Sequence, residues 1–292
     1  MAPLLENASI KHVEREIARR RGELSEGEQS PSQRTSVMNH IAWVPERWTD
    51  AAMATLEGME ERLPSRAIVL LPRPDDPRDA IDADVDVRCF TGSSRTRGVC
   101  FEVILLYLRG ARAAAPASVV EPLLVPDLPD FLRWRGDLPF EEPQLEQLVD
   151  VADRLVVDSS EWRGPEEAFA RLPALFDRVV VSDIAWARIE QWREALAQLW
   201  PGVADASVVR VAGPKADGLL LVAWLRSRLG REIALEHEPA GEIELLEVDG
   251  DPVELVRREP KSTSDLLSDQ LDIFERDGIY EEAVRSFSRV PT

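Results

Sequence analysis

Three histidines, His12, His40 and His237, and two cysteines, Cys89 and Cys100, are the residues from which this chain could build general-base, thiolate or metal chemistry. Their spacing supports little of it. Nucleophilic hydrolysis needs a serine or cysteine beside a base in a recognisable turn, and no G-x-S-x-G occurs. No H-x-x-x-H or H-E-x-x-H pair sets two imidazoles on one helix face, which disfavours metal catalysis by histidine. Two cysteines are too few for a thiolate zinc cage or a disulfide framework. The phosphate cradles G-x-x-x-x-G-K-[ST] and G-x-G-x-x-G are absent. "GPKADG", from Gly213, leads from a strand into a helix and puts Lys215 where a helix N-terminus can meet an anion, although an ordinary proline turn explains the same run. The acid-rich "RPDDPRDAIDADVDV" has no regular spacing and reads as a solvated loop. No catalytic constellation, metal site or cofactor site emerges.

What does recur is tryptophan with arginine. "SDIAWARIEQWREALAQLW", Ser182 to Trp200, holds three of the eight tryptophans. At the helical step, Trp186, Ile189, Trp192, Leu196, Leu199 and Trp200 fall within an arc of roughly 140°, the signature of an amphipathic helix facing a core. Trp192 sits deepest in that arc, where truncation to alanine is expected to cost roughly 3–5 kcal/mol. Arg193 lies inside the arc too, in line with Trp186 and Trp200 at intervals of seven. Its stem either snorkels past the indoles to an acid, with cation–π contact, or joins a partner surface, where tryptophan and arginine are common anchors.

The elements that must position these residues follow from periodicity. Residues 1–34 read as a flexible charged arm: a helical stretch with basic "ARRR", then "GELSEGEQSPSQ", which buries too little to stay ordered. From Ser36, "SVMNHIAWV", "WTDAAMATLEGMEERL" and "AIVLLP" read as strand, helix and buried strand, a βαβ unit. "DVDVRCF" and "VCFEVILLYL" flank "TGSSRTRG" as a hairpin. A symmetric eight-residue loop there pairs Phe90 with Val99 and Cys89 with Cys100, as two reduced thiols or, under an oxidant, a bridge. Strand and helix patterns continue through "DRLVVDSS", "PEEAFARL" and "RVVVSD". Beyond the tryptophan-rich helix, "SVVRVA" is a strand and "ADGLLLVAWLRSRLG" a helix closed by Gly230. "EIELLEV" and "PVELVRRE" form a hairpin through Asp249-Gly250, and two last helices break at Asp277-Gly278. The expected architecture is an N-terminal mixed α/β sheet domain over 35–181 followed by a smaller α+β domain over 182–292.

The 35 basic and 54 acidic residues leave a net charge of -19, which repels polyanions and argues against nucleic acid as a partner. The start shows no secretory pattern, and the longest apolar run, "GLLLVAWL", is far short of the ~18 residues of a membrane helix. A cytoplasmic location without a membrane partner is expected.

Ordered blocks together resemble the OpcA family, glucose-6-phosphate dehydrogenase assembly proteins of actinobacteria and cyanobacteria. They are "RTSVMNHIAWVPERW", "LPSRAIVLL", "CFEVILLYLRG", "SVVEPLLVPDLPDFLRWRGDLPF", "ADRLVVDSS", "SDIAWARIEQWREALAQLW" and "DLLSDQLDIFERDGIYEEA". The family pattern is met by Asp183, Trp186, Arg188, Trp192, Arg193, Ala197, Gln198 and Trp200. The resemblance implies a non-catalytic protein that binds glucose-6-phosphate dehydrogenase, promotes its active oligomer and improves its use of substrate in the oxidative pentose phosphate pathway. NADP and glucose 6-phosphate then belong to the partner enzyme, and this chain needs no cofactor. Two departures stand out. Leu63 replaces a histidine that many members carry before the "PSR" block. No cysteine follows Cys100, so redox control through C-terminal cysteines is not supported.

The candidate partner-binding residues are Trp134 and Arg135 in the "FLRWRG" turn, Asp158, and Asp183, Trp186, Arg188 and Arg193. Charge reversal at Arg135 or Arg188 is expected to weaken activation and spare the fold. The alternative is a sugar-phosphate-binding sensor or enzyme that uses Arg135, Arg188, Lys215 and the "DSS" turn at Asp158 to Ser160.

Overall fold

The computed structural model describes residues 4–26, 36–59, 64–91, 98–255, 261–273 and 275–289, and only the backbone of 24–26, 88–91, 98–100 and 288–289. Leu63 and the hairpin tip at 92–97 lie outside the described residues. The fold is mixed α/β, in two compact units: residues 1–135 with 139–155, and 136–138 with 156–292.

The first unit opens on α1 (Ile10–Glu26). Val13 and Ile17 are 0% and 3% exposed. Arg21 continues their i, i+4 stripe and forms an ion pair with buried Glu102. Ahead of the helix, Leu5 bridges to Ala83, and the Asn7 N–H donates to Asp82 Oδ1 at 2.9 Å. A single three-position stripe therefore ties down a segment whose average composition suggests a loose arm. Residues 27–35 of that expected arm lie outside the described residues.

Next come β1 (Met38–Trp43), α2 (Thr49–Glu57) and β2 (Ser65–Arg73), with β1 and β2 parallel from Met38↔Ser65 to Trp43↔Leu70, the expected βαβ unit. β3 (Ile81–Thr91) and β4 (Gly98–Arg109) form the hairpin in the expected register, Phe90↔Val99 and Cys89↔Cys100; the two cysteine side chains lie outside the described residues. α3 (Ala117–Val120), β5 (Asp130–Trp134) and α4 (Pro143–Val151) complete the unit, with strand order β3-β4-β2-β1-β5. Ile68, Leu70, Ile104, Phe131 and Leu132 are all 0% exposed, as strands covered on both faces require. The acid-rich run is no solvated loop at its end. Asp82 on β3 is 2% exposed and accepts from Arg109 Nε at 2.6 Å, while Arg109 Nη1 donates to Asp76 Oδ2 at 2.6 Å.

The division between the units falls within β6 (Arg154–Val157). The second unit continues with α5 (Pro165–Arg171), β7 (Val180–Asp183), α6 (Ile184–Arg188) and α7 (Glu190–Gln198). β8 (Val208–Gly213), α8 (Lys215–Leu229) and β9 (Ala234–Pro239) make a parallel crossover, and Gly230 ends α8 in the left-handed region at φ 65°. β10 (Leu245–Val248) turns through Asp249 and Gly250, both at positive φ, into β11 (Asp251–Pro252), giving a sheet ordered β11-β10-β8-β9. α9 (Thr263–Leu271), capped by Ser262 and Asp265 in a capping box, and α10 (Gly278–Arg285), capped by Asp277, end the described fold. Among the described residues no helix is long and apolar enough to cross a membrane.

Candidate functional site

Five of the expected residues, Asp158, Asp183, Trp186, Arg188 and Arg193, come together in the second unit. Asp158 follows β6 and caps a short turn, accepting from the Ser160 N–H at 3.2 Å and its hydroxyl at 2.6 Å. Asp183 ends β7 and caps α6. Its Oδ1 accepts from the N–H groups of Ala185 at 2.9 Å and Ser159 at 3.0 Å, and its Oδ2 from the Tyr280 hydroxyl at 3.3 Å. Strand ends thus deliver two aspartates, and one turn of α6 delivers the cation between their neighbours.

Arg188 Nη2 donates to both Asp158 oxygens at 3.1 and 2.9 Å. Its Nη1 donates to both oxygens of Asp217 at 3.1 and 3.3 Å. Asp217, on the first turn of α8, is 0% exposed. Sequence reasoning missed it because an acid at a helix start already has an explanation in the helix dipole. Two carboxylates bond one guanidinium and a third, Asp183, stands near, and both Asp217 and Asp183 titrate above the usual carboxylate range. Burial pushes Asp217 up to about 7 against the pull of Arg188. Burial, then the charge of Asp158, pushes Asp183 up to about 6 against its hydrogen bonds. Burial would lower Arg188, but Asp158 and Asp217 outweigh it and hold the cation charged. Both oxygens of Asp217 face Arg188, so the carboxylate nearest neutrality is committed to its partner. Among the described residues no group of three or more histidine, cysteine, aspartate or glutamate side chains is arranged to hold a metal ion.

Beside this cluster, Trp186 is 5% exposed, donates its indole N–H to Asp277 Oδ2 at 2.7 Å and packs against Tyr280 with ring centroids 5.6 Å apart. The Arg193 guanidinium lies 3.6 Å from the Trp186 ring centroid, a cation–π contact of roughly 0.5–2 kcal/mol. The expected single arc does not run on to Trp200. Ile189, at ψ 5°, separates α6 from α7, and α7 stops at Gln198. Ile189 and Leu196 are fully buried, Trp192 is half-buried, and Trp200, past the helix end, is 65% exposed. Trp192 is therefore no pure core residue.

Trp134 and Arg135 belong to the first unit. Trp134 is 2% exposed and stacks on Trp43 with centroids 5.0 Å apart. Arg135, 6% exposed, sits 4.8 Å from the Trp48 ring centroid. Charge reversal at either arginine would not spare the fold, because Arg135 is buried and Arg188→Glu adds a fourth carboxylate to a crowded cluster. Two cations of the sugar-phosphate alternative are already engaged by carboxylates in the second unit. Arg188 is engaged by Asp158 and Asp217, and Lys215 forms an ion pair with Glu166.

A cleft of about 320 Å³ opens at the solvent edge of Arg188, lined also by Glu190, Trp192, Asp217, Glu242 and Lys261.

Two family models match the chain in tandem. One, described as the glucose-6-phosphate dehydrogenase subunit N-terminal domain, covers residues 57–174, and the C-terminal domain of the same subunit covers 179–284. Cyanobacterial proteins named "Putative OxPP cycle protein OpcA" are similar. The one from Synechococcus elongatus is 26% identical over 197 residues, 64% of this chain and 44% of the relative. Those from Synechocystis and Nostoc punctiforme are 26% and 25% identical over 179 and 198 residues, 57% and 64% of this chain. The chain spans less than half the length of these relatives, with 37% to 44% of each covered. Matched in order by both domain models over most of its length, the chain belongs to the OpcA family.

Proposed function

We propose that the chain is a non-catalytic, cytoplasmic regulatory partner of glucose-6-phosphate dehydrogenase that favours the enzyme's active oligomer and improves its use of substrate. The observation that carries this reading is the tandem match to two models, both described as domains of a glucose-6-phosphate dehydrogenase subunit. The chemistry of the cluster fits it. The titratable groups are spent on one another: Asp158 and Asp217 on Arg188, Asp183 on two backbone N–H groups and a tyrosine. In this reading Asp158, Asp183, Trp186, Arg188 and Arg193 form a rigid wall that shapes the docking surface of the second unit, and Trp134 and Arg135 do the same in the first.

Such a regulator shifts an assembly equilibrium by no more than its differential affinity for the competent form. A tenfold shift takes about 1.4 kcal/mol, within reach of one well-buried anchor. The test adds the purified chain to the dehydrogenase and measures glucose 6-phosphate saturation and oligomer size together. The expected result is half-saturation at lower substrate and a larger species in light scattering. Unchanged kinetics and size, or turnover of the sugar phosphate by the chain alone, would overturn the reading.

A further inference from the structure

We propose that the cleft beside Arg188 is a socket for a basic side chain, an arginine or lysine projecting from a partner protein. Among the described residues, five ionisable side chains line it: Arg188, Lys261, Glu190, Asp217 and Glu242. Both cations are spent. Arg188 is bonded to Asp158 and Asp217, and Lys261 Nζ donates to Asp269 Oδ2 at 2.8 Å. Glu190 and Glu242 are exposed, and neither is in a salt bridge among the described residues. With its cations neutralised, the cleft presents a negative field to whatever enters. A phosphate or carboxylate would meet two glutamates, whereas a guanidinium or ammonium would be attracted.

The walls fit such a side chain. Ile184, Ile243 and Leu255 offer apolar surface to a methylene stem, and half-buried Trp192 offers an indole to the charged head. About 320 Å³ is the scale of a single-residue pocket, at the lower end of ligand sites. The net charge of -19 steers a basic surface toward the chain from a distance. The arginine expected from sequence to reach out to a partner is thus already committed, and the cleft it borders receives a cation instead.

The choice of glucose-6-phosphate dehydrogenase as partner rests on the function proposed above, and the test separates the two claims. In one arm, the full chain is titrated with the dehydrogenase at low and high salt. Glu190→Gln/Glu242→Gln, at exposed positions, is expected to weaken binding at least about tenfold, about 1.4 kcal/mol, and to flatten its salt dependence. In the other arm, N-acetyl-arginine amide alone is titrated while the indole N–H resonance of Trp192, assigned with Trp192→Phe, is followed by NMR. The resonance is expected to move in the wild-type chain and to stay in the double variant, with N-acetyl-glutamate amide inert. If the dehydrogenase does not bind but the arginine amide moves Trp192, the socket stands and the proposed function falls. If the dehydrogenase binds wild type and variant equally and Trp192 stays unmoved, the socket falls and the proposed function stands. If the amide binds only after Arg257→Ala/Arg258→Ala, the occupant is a segment of this same chain and the proposal is overturned.

Discussion

Replacing Arg188 by methionine keeps most of the apolar stem and deletes the guanidinium that bonds four carboxylate oxygens between 2.9 and 3.3 Å. Asp158 and Asp217 are 6% and 0% exposed, so water entering from the cleft replaces only part of what is lost. Removing one partner of a buried ion pair costs about 3–5 kcal/mol, because the other charge stays buried and uncompensated. The carboxylates have one escape, which is to take up protons. Asp217 is already pushed up to about 7 by burial despite Arg188, and without the cation it rises further. A carboxyl whose folded pKa exceeds its unfolded value binds protons on folding, so its contribution to stability falls as pH rises between the two values. The deficit of Arg188→Met should therefore approach its full size near pH ~8 and shrink near pH ~5 to about 1 kcal/mol, the worth of lost hydrogen bonds. Urea unfolding at both pH values measures the total, and amide exchange in α6 and α8 assigns it to the second unit, since a chain of two units need not unfold in one step. Arg188→Met/Asp217→Asn should recover part of the loss at the higher pH. An equal loss at both pH values would refute the account of the cluster.

The first unit should show the opposite acid response. His40, 1% exposed on β1, is held down to about 4 by burial and then by the charge of Arg133. Its depressed pKa means that stability is full above its unfolded value and is lost as pH falls toward 4; His40→Phe should remove that decline, read from amide exchange in β1 and β5. Glu102→Gln weakens the ion pairs with Arg66, at 2.8 Å, and Arg21, and should cost about 3 kcal/mol with the fastest new exchange in α1. Trp134→Ala should cost about 3–5 kcal/mol in thermal unfolding, and less once Trp43→Ala has already removed the stacking partner.

Much of this architecture is legible in order and type of element, because apolar period and turn chemistry are local signals. The βαβ unit, the cysteine register, the Asp249-Gly250 turn and the Gly230 cap all follow from a few neighbouring residues. Features set by particular long-range partners were not legible. Composition says that the first residues are polar, yet Val13, Ile17 and Arg21 suffice to anchor α1 through a glutamate 81 positions away. Periodicity gives the phase of a helix but not its end, so the arc ran through Ile189 and on to Trp200. The candidate residues showed the same split. The seven-residue spacing of Trp186 and Arg193 anticipates their cation–π contact, while Asp217, which decides the charge of Arg188's surroundings, stands at a helix start, where an acid carries no signal beyond the helix dipole.

One indole stands apart from the other seven. With 65% of its surface open at the end of α7, Trp200 should emit at longer wavelength than its buried counterparts and be extinguished first by acrylamide. Iodide, held off by the chain's negative charge, should quench it less well than its openness alone implies. The molecule thus carries its own optical gauge of that corner: anything settling there would shield the lamp, and contact could be followed without attaching a dye.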